Sequence, residues 1–176
     1  MKIDSVEKEL LWIADILDKC KIKFWLSGGI VLGIIREGHR LMHDHDIDIA
    51  VWEDDMKDKV EMLKAYIPEL RYVPLEKRMV IRKKEYKNFK IDIFYHFREG
   101  KYVCMEMGGL RPIKHCYPER LYKEFEQVKY IGREFNVISP VRDYLRLEYG
   151  DWKKVRKVWD TTKDSPSIRV WDNKKL

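Results

Sequence analysis

The chain has 176 residues, 45% of them hydrophobic and 38% charged, with a formal net charge of +6. That length suits one domain with a real core, and no apolar run approaches the ~20 residues of a membrane-spanning helix. The basic balance suits anionic partners such as nucleotides, teichoic-type polymers, nucleic acid or a lipid surface, without selecting among them.

The opening MKIDSVEKEL is polar where a secretory signal is apolar, so a cytoplasmic location is expected. In residues 4–20, Val6, Leu10, Ile13 and Leu17 recur at helical spacing, and Asp4 with Glu7 can form a capping box. Residues 22–26 are short, apolar and aromatic, a first strand. Ser27-Gly28-Gly29 then opens a second helix that Gly38 ends. After a polar connection over 37–44, residues 46–52 form a second strand. The acidic stretch 53–55 starts a helix to about residue 66, with Met56, Val60 and Leu63 inward and Pro68 as the stop.

Four short strands follow, at 71–74, 79–82, 90–95 and 101–105. After Gly108-Gly109 the chain turns through Pro112 and Tyr117-Pro118. His115 and Tyr117 then stand either beside an acceptor pocket or on a surface turn. Residues 126–131 and 133–138 make a hairpin about Gly132, and Ser139-Pro140 caps a helix over 141–149 that Gly150 ends. Trp152 reads as core, and the polar tail from Lys163, with its lone Trp171, reads as loosely ordered. Cys20, Cys104 and Cys116 are odd in number and form no C-x-x-C pair, so they are taken as reduced thiols. No repeat or linker divides the chain, and residues 1–176 are expected to form a single domain with its core over about 4–152.

The chemistry concentrates between Ser27 and Val51. On a strand, Asp46 and Asp48 point to one face while Ile47, Ile49 and Val51 point to the other. Two adjacent carboxylates invite a hard divalent cation, which commonly links such acids to substrate phosphates. The Gly28-Gly29 turn allows close backbone approach to a phosphate at a helix N-terminus. Asp92 lies on a later apolar strand, on the face of Lys90 and Phe94, where an acid is costly without a partner. It is taken as a third metal ligand or general base. Arg36 either clamps a phosphate or lies along the helix end, and Asp44 either joins the site or orients a neighbour. His43 and His45 lack a further nitrogen or sulfur ligand for a transition-metal site. These features point to phosphoryl or nucleotidyl transfer.

Gly28-Gly29-Ile30-Val31-Leu32-Gly33-Ile34-Ile35-Arg36, His43-Asp44-His45-Asp46-Ile47-Asp48, the strand around Asp92, and Tyr144-Leu145 with Tyr149-Gly150-Asp151-Trp152 together resemble the LicD/fukutin-related family. That family belongs to the nucleotidyltransferase, DNA polymerase β-like, superfamily. The likeness spans about residues 24–152. His43, His45 and Met42 depart from the family's tryptophan, acid and proline, which alters the entrance to the site.

The resemblance implies an α+β nucleotidyltransferase fold, a mixed sheet flanked by helices, with a C-terminal hairpin and helix. It implies a Mg²⁺- or Mn²⁺-dependent enzyme in which Asp46, Asp48 and Asp92 hold one or two metal ions, Asp92 completing the second metal site and helping to deprotonate the acceptor. Ser27, Gly28, Gly29 and Arg36 would bind donor phosphates. The donor would be CDP-choline, CDP-ribitol or CDP-glycerol, and the acceptor a sugar hydroxyl. The competing reading is NMP transfer from a nucleoside triphosphate to a small molecule such as an aminoglycoside. An inactive nucleotide- or nucleic-acid-binding module is the third, although no nucleic-acid-binding motif is found.

Overall fold

A computed structural model describes residues 3–83, 89–107, 113–156 and 158–168. Helix α1 (Ser5–Lys19) begins at the expected capping box: the Glu7 N–H donates to Asp4 Oδ1 at 2.8 Å and the Asp4 N–H to Glu7 Oε2 at 2.9 Å. It buries Leu10, Ile13 and Leu17, each worth about 1.5–3 kcal/mol of transfer free energy. Strand β1 (Phe24–Leu26) leads through Ser27 into helix α2 (Gly28–Glu37), which Gly38 terminates.

Strand β2 (Asp46–Trp52) has the predicted bounds. The helix expected over 53–66 is instead two, α3 (Glu53–Met56) and α4 (Val60–Tyr66). The Lys59 N–H bonds back to the Met56 carbonyl three residues earlier, which tightens the chain at the polar Lys57–Lys59 step. Met56 and Leu63 are still both buried, so the apolar face survives the break.

Strands β3 (Arg71–Val73), β4 (Arg78–Ile81), β5 (Lys90–Glu99) and β6 (Tyr102–Met107) follow. A further strand, β7 (Ile113–Pro118), runs where the sequence suggested a turn; Gly108, Gly109 and Pro112 lie outside the described residues. The hairpin of β8 (Phe125–Tyr130) and β9 (Arg133–Ile138) precedes helix α5 (Val141–Tyr149) and the short α6 (Thr161–Asp164). Ser139 does not cap α5. Its hydroxyl and the Val141 N–H both donate to Glu126 Oε1, at 3.2 and 3.1 Å, so the hairpin supplies the cap.

The sheet runs β1-β2-β5-β4-β3, with β6 on the far half of β5 and β7 beyond it. β2 and β5 are parallel and every other pairing is antiparallel. One face carries Ile47, Ile49, Ile91, Ile93, Met79 and Ile81 into the core with α1. The other face is polar and bears the acids. The fold is the expected α+β mixed sheet with a C-terminal hairpin and helix.

Two expectations are corrected by this packing. Cys104 and Cys116 are directly paired residues on β6 and β7 and form a disulfide, while Cys20 is free and buried. Their spacing in sequence carried no sign of this, because it arises from strand register. The tail is not loose throughout: Ser165 and Ser167 are fully buried and hydrogen-bonded to Glu148 of α5. Trp171 lies outside the described residues. Among those residues no helix is long and apolar enough to cross a membrane.

Candidate active site

Strand periodicity and register build the site. Asp46 and Asp48 occupy alternate positions of β2, and parallel pairing sets Asp46 beside Lys90 and Asp48 beside Asp92. Adjacent strands lie about 4.8 Å apart, so four charged side chains share one patch. Ligating oxygens of Asp46, Asp48 and Asp92 all lie within 4.8 Å of one another. Three hard oxygen donors at that spacing fit Mg²⁺ or Mn²⁺.

The Gly28-Gly29 turn closes over this patch. Gly28 has φ +62°, a region that L side chains avoid, and a Cβ there would sit 2.2 Å from Asp48 Oδ2. A Cβ on Gly29 would sit 2.1 Å from Asp44 Oδ2. Both glycines are therefore needed to let the first turn of α2 meet the acids. The donors of this turn are not all free for a ligand, contrary to expectation. The Ser27 N–H bonds the Asp48 carbonyl at 3.1 Å, the Gly28 N–H donates to Tyr144 Oη at 2.9 Å, and Ser27 Oγ pairs with the same hydroxyl at 3.0 Å. Ser27 and Gly28 thus shape the turn from behind, and Gly29 faces the cavity.

That cavity is about 760 Å³, within the usual range for ligand sites. Its floor is acidic, with Asp44, Asp46, Asp48, Asp92 and Glu76. The segment from the end of α5 to α6 also lines it and is aromatic and basic, with Tyr149, Trp152, Trp159, Lys154 and Arg156. Tyr149 and Trp159 rings lie 5.3 Å apart and the Arg156 guanidinium lies 5.1 Å from the Trp159 ring. Arg36 lines the cavity too, held by Glu37 at 2.7 Å and by the Trp152 carbonyl at 3.2 Å. His43 and His45 are exposed, and His43 reaches the cavity wall.

The carboxylates do not titrate alike. Burial, with the charges of Asp46 and Asp92, pushes Asp48 well above the usual carboxylate range. Burial and the hydrogen bond and charge of Asp46 push Asp44 up to about 7. Asp46 is buried as well, which alone would raise it, but its hydrogen bond with Asp44 and the Lys90 ammonium hold it below the ordinary value. Lys90 Nζ lies 3.0 Å from Asp46 Oδ2 and contacts Asp92 Oδ2; Arg78 contacts Asp92 Oδ1 and bonds Glu76 at 2.7 Å.

The profile of the LicD/FKTN/FKRP nucleotidyltransferase domain matches residues 21–137, about two thirds of the chain. The chain belongs to that family. Ribitol-5-phosphate transferase FKTN of Macaca fascicularis is 25% identical over 174 residues and that of Homo sapiens 24% over 174. Each alignment covers 93% of this chain but 37% of the relative, so the chain spans little more than a third of those proteins. Among solved structures, the lincosamide antibiotic adenylyltransferase LnuA with lincomycin bound superposes with a TM-score of 0.58 at 19% identity, covering 93% of this chain and 96% of that one. That likeness gives the nucleotidyltransferase fold to the LicD-type sheet described above.

Several residues of this LicD-family site had no role in the sequence reading. Lys90 stands two residues before Asp92, so its place on the acidic face was legible, but its contact with Asp46 depends on β2–β5 register. Arg78 reaches Asp92 through β4–β5 pairing and Tyr144 reaches Gly28 across 116 residues. His115 and Tyr117 border no acceptor pocket. Both are fully buried, bonded to Ser167 and Glu148 respectively.

Proposed function

We propose that the chain is a metal-dependent transferase moving a phospho-alcohol group, of the ribitol phosphate, glycerol phosphate or phosphocholine type, from a CDP-linked donor to a glycan hydroxyl. The observation that carries this is the convergence of Asp46, Asp48 and Asp92 within 4.8 Å on the floor of a cavity large enough for a nucleotide. Family membership and the name of the FKTN relatives support the phospho-alcohol class. A divalent cation, Mg²⁺ or Mn²⁺, held by the three aspartates would supply charge stabilisation for the attacking and leaving oxygens.

The chain's own residues do the rest. Gly29 admits the donor to the first turn of α2, and Arg36, Lys154 and Arg156, which line the same cavity, offer positive charge to its phosphates. Trp159 and Tyr149, whose rings are tilted 49° to each other, offer aromatic surface against which a base can pack. Asp92, anchored by Arg78 and Lys90, is fixed in place for binding.

The test is nucleotide release. CDP-ribitol, CDP-glycerol, CDP-choline, CTP and ATP would each be supplied with Mg²⁺ or Mn²⁺, and then with EDTA. CMP release from one CDP-alcohol is expected, abolished by EDTA and reduced at least about a hundredfold in Asp46→Ala and Asp92→Ala, the order of loss for one charge-stabilising group. Pyrophosphate release from CTP or ATP would replace this reading with nucleotidyl transfer.

A further inference from the structure

Lys90 holds the place that a second ion would need. Its ammonium touches Asp46 at 3.0 Å and Asp92 at the same time, so it lies between the two carboxylates that a bridging cation would join. On the far side of Asp92, Arg78 from β4 takes the other oxygen of the carboxylate. Asp92 is thus contacted by a cation at each of its oxygens, and it is only 1% exposed at the side chain, with no room for solvent to screen a third. Asp48 differs. It has no ion pair among the described residues, and its oxygen lies against the first turn of α2, where the helix dipole favours negative charge.

The arrangement across the sheet is ordered. The unpaired acid stands on β2, the mixed pair of Lys90 and Asp92 on β5, and Arg78 on β4. The carboxylate without an ion pair among the described residues therefore stands at the β2 side, and fixed positive charge at the β4 side. A divalent ion placed between Asp46 and Asp92 would meet an ammonium and a guanidinium at contact range, and like charges at that distance repel strongly.

We propose that this site takes a single divalent cation, on the Asp46–Asp48 side, and that Lys90, backed by Arg78, stands permanently in the position of a second. This rests on reading the aspartate cluster as a metal site; it narrows the ligands of that site to Asp46 and Asp48, and it replaces the expectation that Asp92 completes a second metal centre. The two cations of a two-ion centre would here be one exchangeable ion and one side chain.

The number of ions bound tests this without any turnover. The full chain would be titrated with Mn²⁺ and free Mn²⁺ followed by electron paramagnetic resonance, for the wild type, Lys90→Met and Lys90→Arg, with circular dichroism melts to establish folding. The expected result is one Mn²⁺ per chain in the wild type and in Lys90→Arg, and two in Lys90→Met, with spin–spin broadening from neighbouring ions. Two Mn²⁺ in the wild type would overturn the inference and leave the metal-site reading standing. One Mn²⁺ in a folded Lys90→Met would overturn it as well. If Lys90→Met does not fold, the wild-type count decides alone. No Mn²⁺ bound by the wild type, together with CMP release unaffected by EDTA, would remove the metal-site reading itself.

Discussion

Gly28 joins backbone conformation to chemistry at a single position. Its φ of +62° costs an L residue about 1–2 kcal/mol, and a methyl group there would also strike Asp48 Oδ2 at 2.2 Å. Gly38 has a similar φ of +76° with no atom within 4 Å of its would-be Cβ. By thermal melting, Gly28→Ala should therefore lose more stability than Gly38→Ala, because it adds a clash to the same backbone cost. Only Gly28→Ala should also lose Mn²⁺ affinity, by tenfold or more, because it displaces a carboxylate proposed to bind the ion. Equal Mn²⁺ affinity in the two variants would separate the glycine turn from the acids.

Helix α5 acts on the site as an element. It lies after the hairpin, takes its N-terminal cap from Glu126 of β8, and aims Tyr144 back at the Ser27-Gly28 turn 116 residues earlier. Tyr144→Phe keeps the ring and removes one hydroxyl, leaving the Gly28 N–H without its acceptor. Losing a partner at this half-buried donor costs about 1 kcal/mol, which a urea titration would read as a lower midpoint with unchanged slope. Ser27→Ala removes a hydroxyl but leaves the Gly28 bond intact, so it should cost less. If Ser27→Ala proved the more damaging, the turn would not be held by α5.

At the scale of the whole molecule, the interior beyond the acidic face holds a cluster of buried polar groups. Glu148, His115, Ser165 and Ser167 are buried together where the tail docks on α5 and β7. Nearby, His96 lies between Trp25 and Tyr122, and both its ring nitrogens lack a hydrogen-bond partner among the described residues. Burial lowers His96 to about 3 and His115 to about 4. A histidine whose folded pKa is depressed stays neutral in the native state while the unfolded chain takes up its proton below about 6.5. It therefore weakens folding as the pH falls from about 6.5 towards the folded value. His96→Leu removes that liability, so its stability relative to wild type should improve by about 1.4 kcal/mol for each pH unit below 6.5. Denaturant midpoints of the two proteins at pH 7, 6, 5 and 4 would show it; a constant difference would place His96 in solvent contact.

The sequence by itself determined the elements whose signals are local. The capping box at Asp4 and Glu7, the glycine stop at Gly38 and the alternation that puts Asp46 and Asp48 on one face are relations within a few residues. Three acids and a glycine turn were legible for the same reason, since strand and helix periods are fixed by backbone geometry. What only the tertiary structure decided depends on register between distant segments. Parallel pairing set Asp48 beside Asp92 and Lys90 beside Asp46, strand pairing joined Cys104 to Cys116, and docking of the tail buried Ser165 and Ser167 against Glu148. A one-residue slip in any of those pairings would turn the side chains to the opposite face, and nothing in the local sequence of either strand fixes where its partner begins.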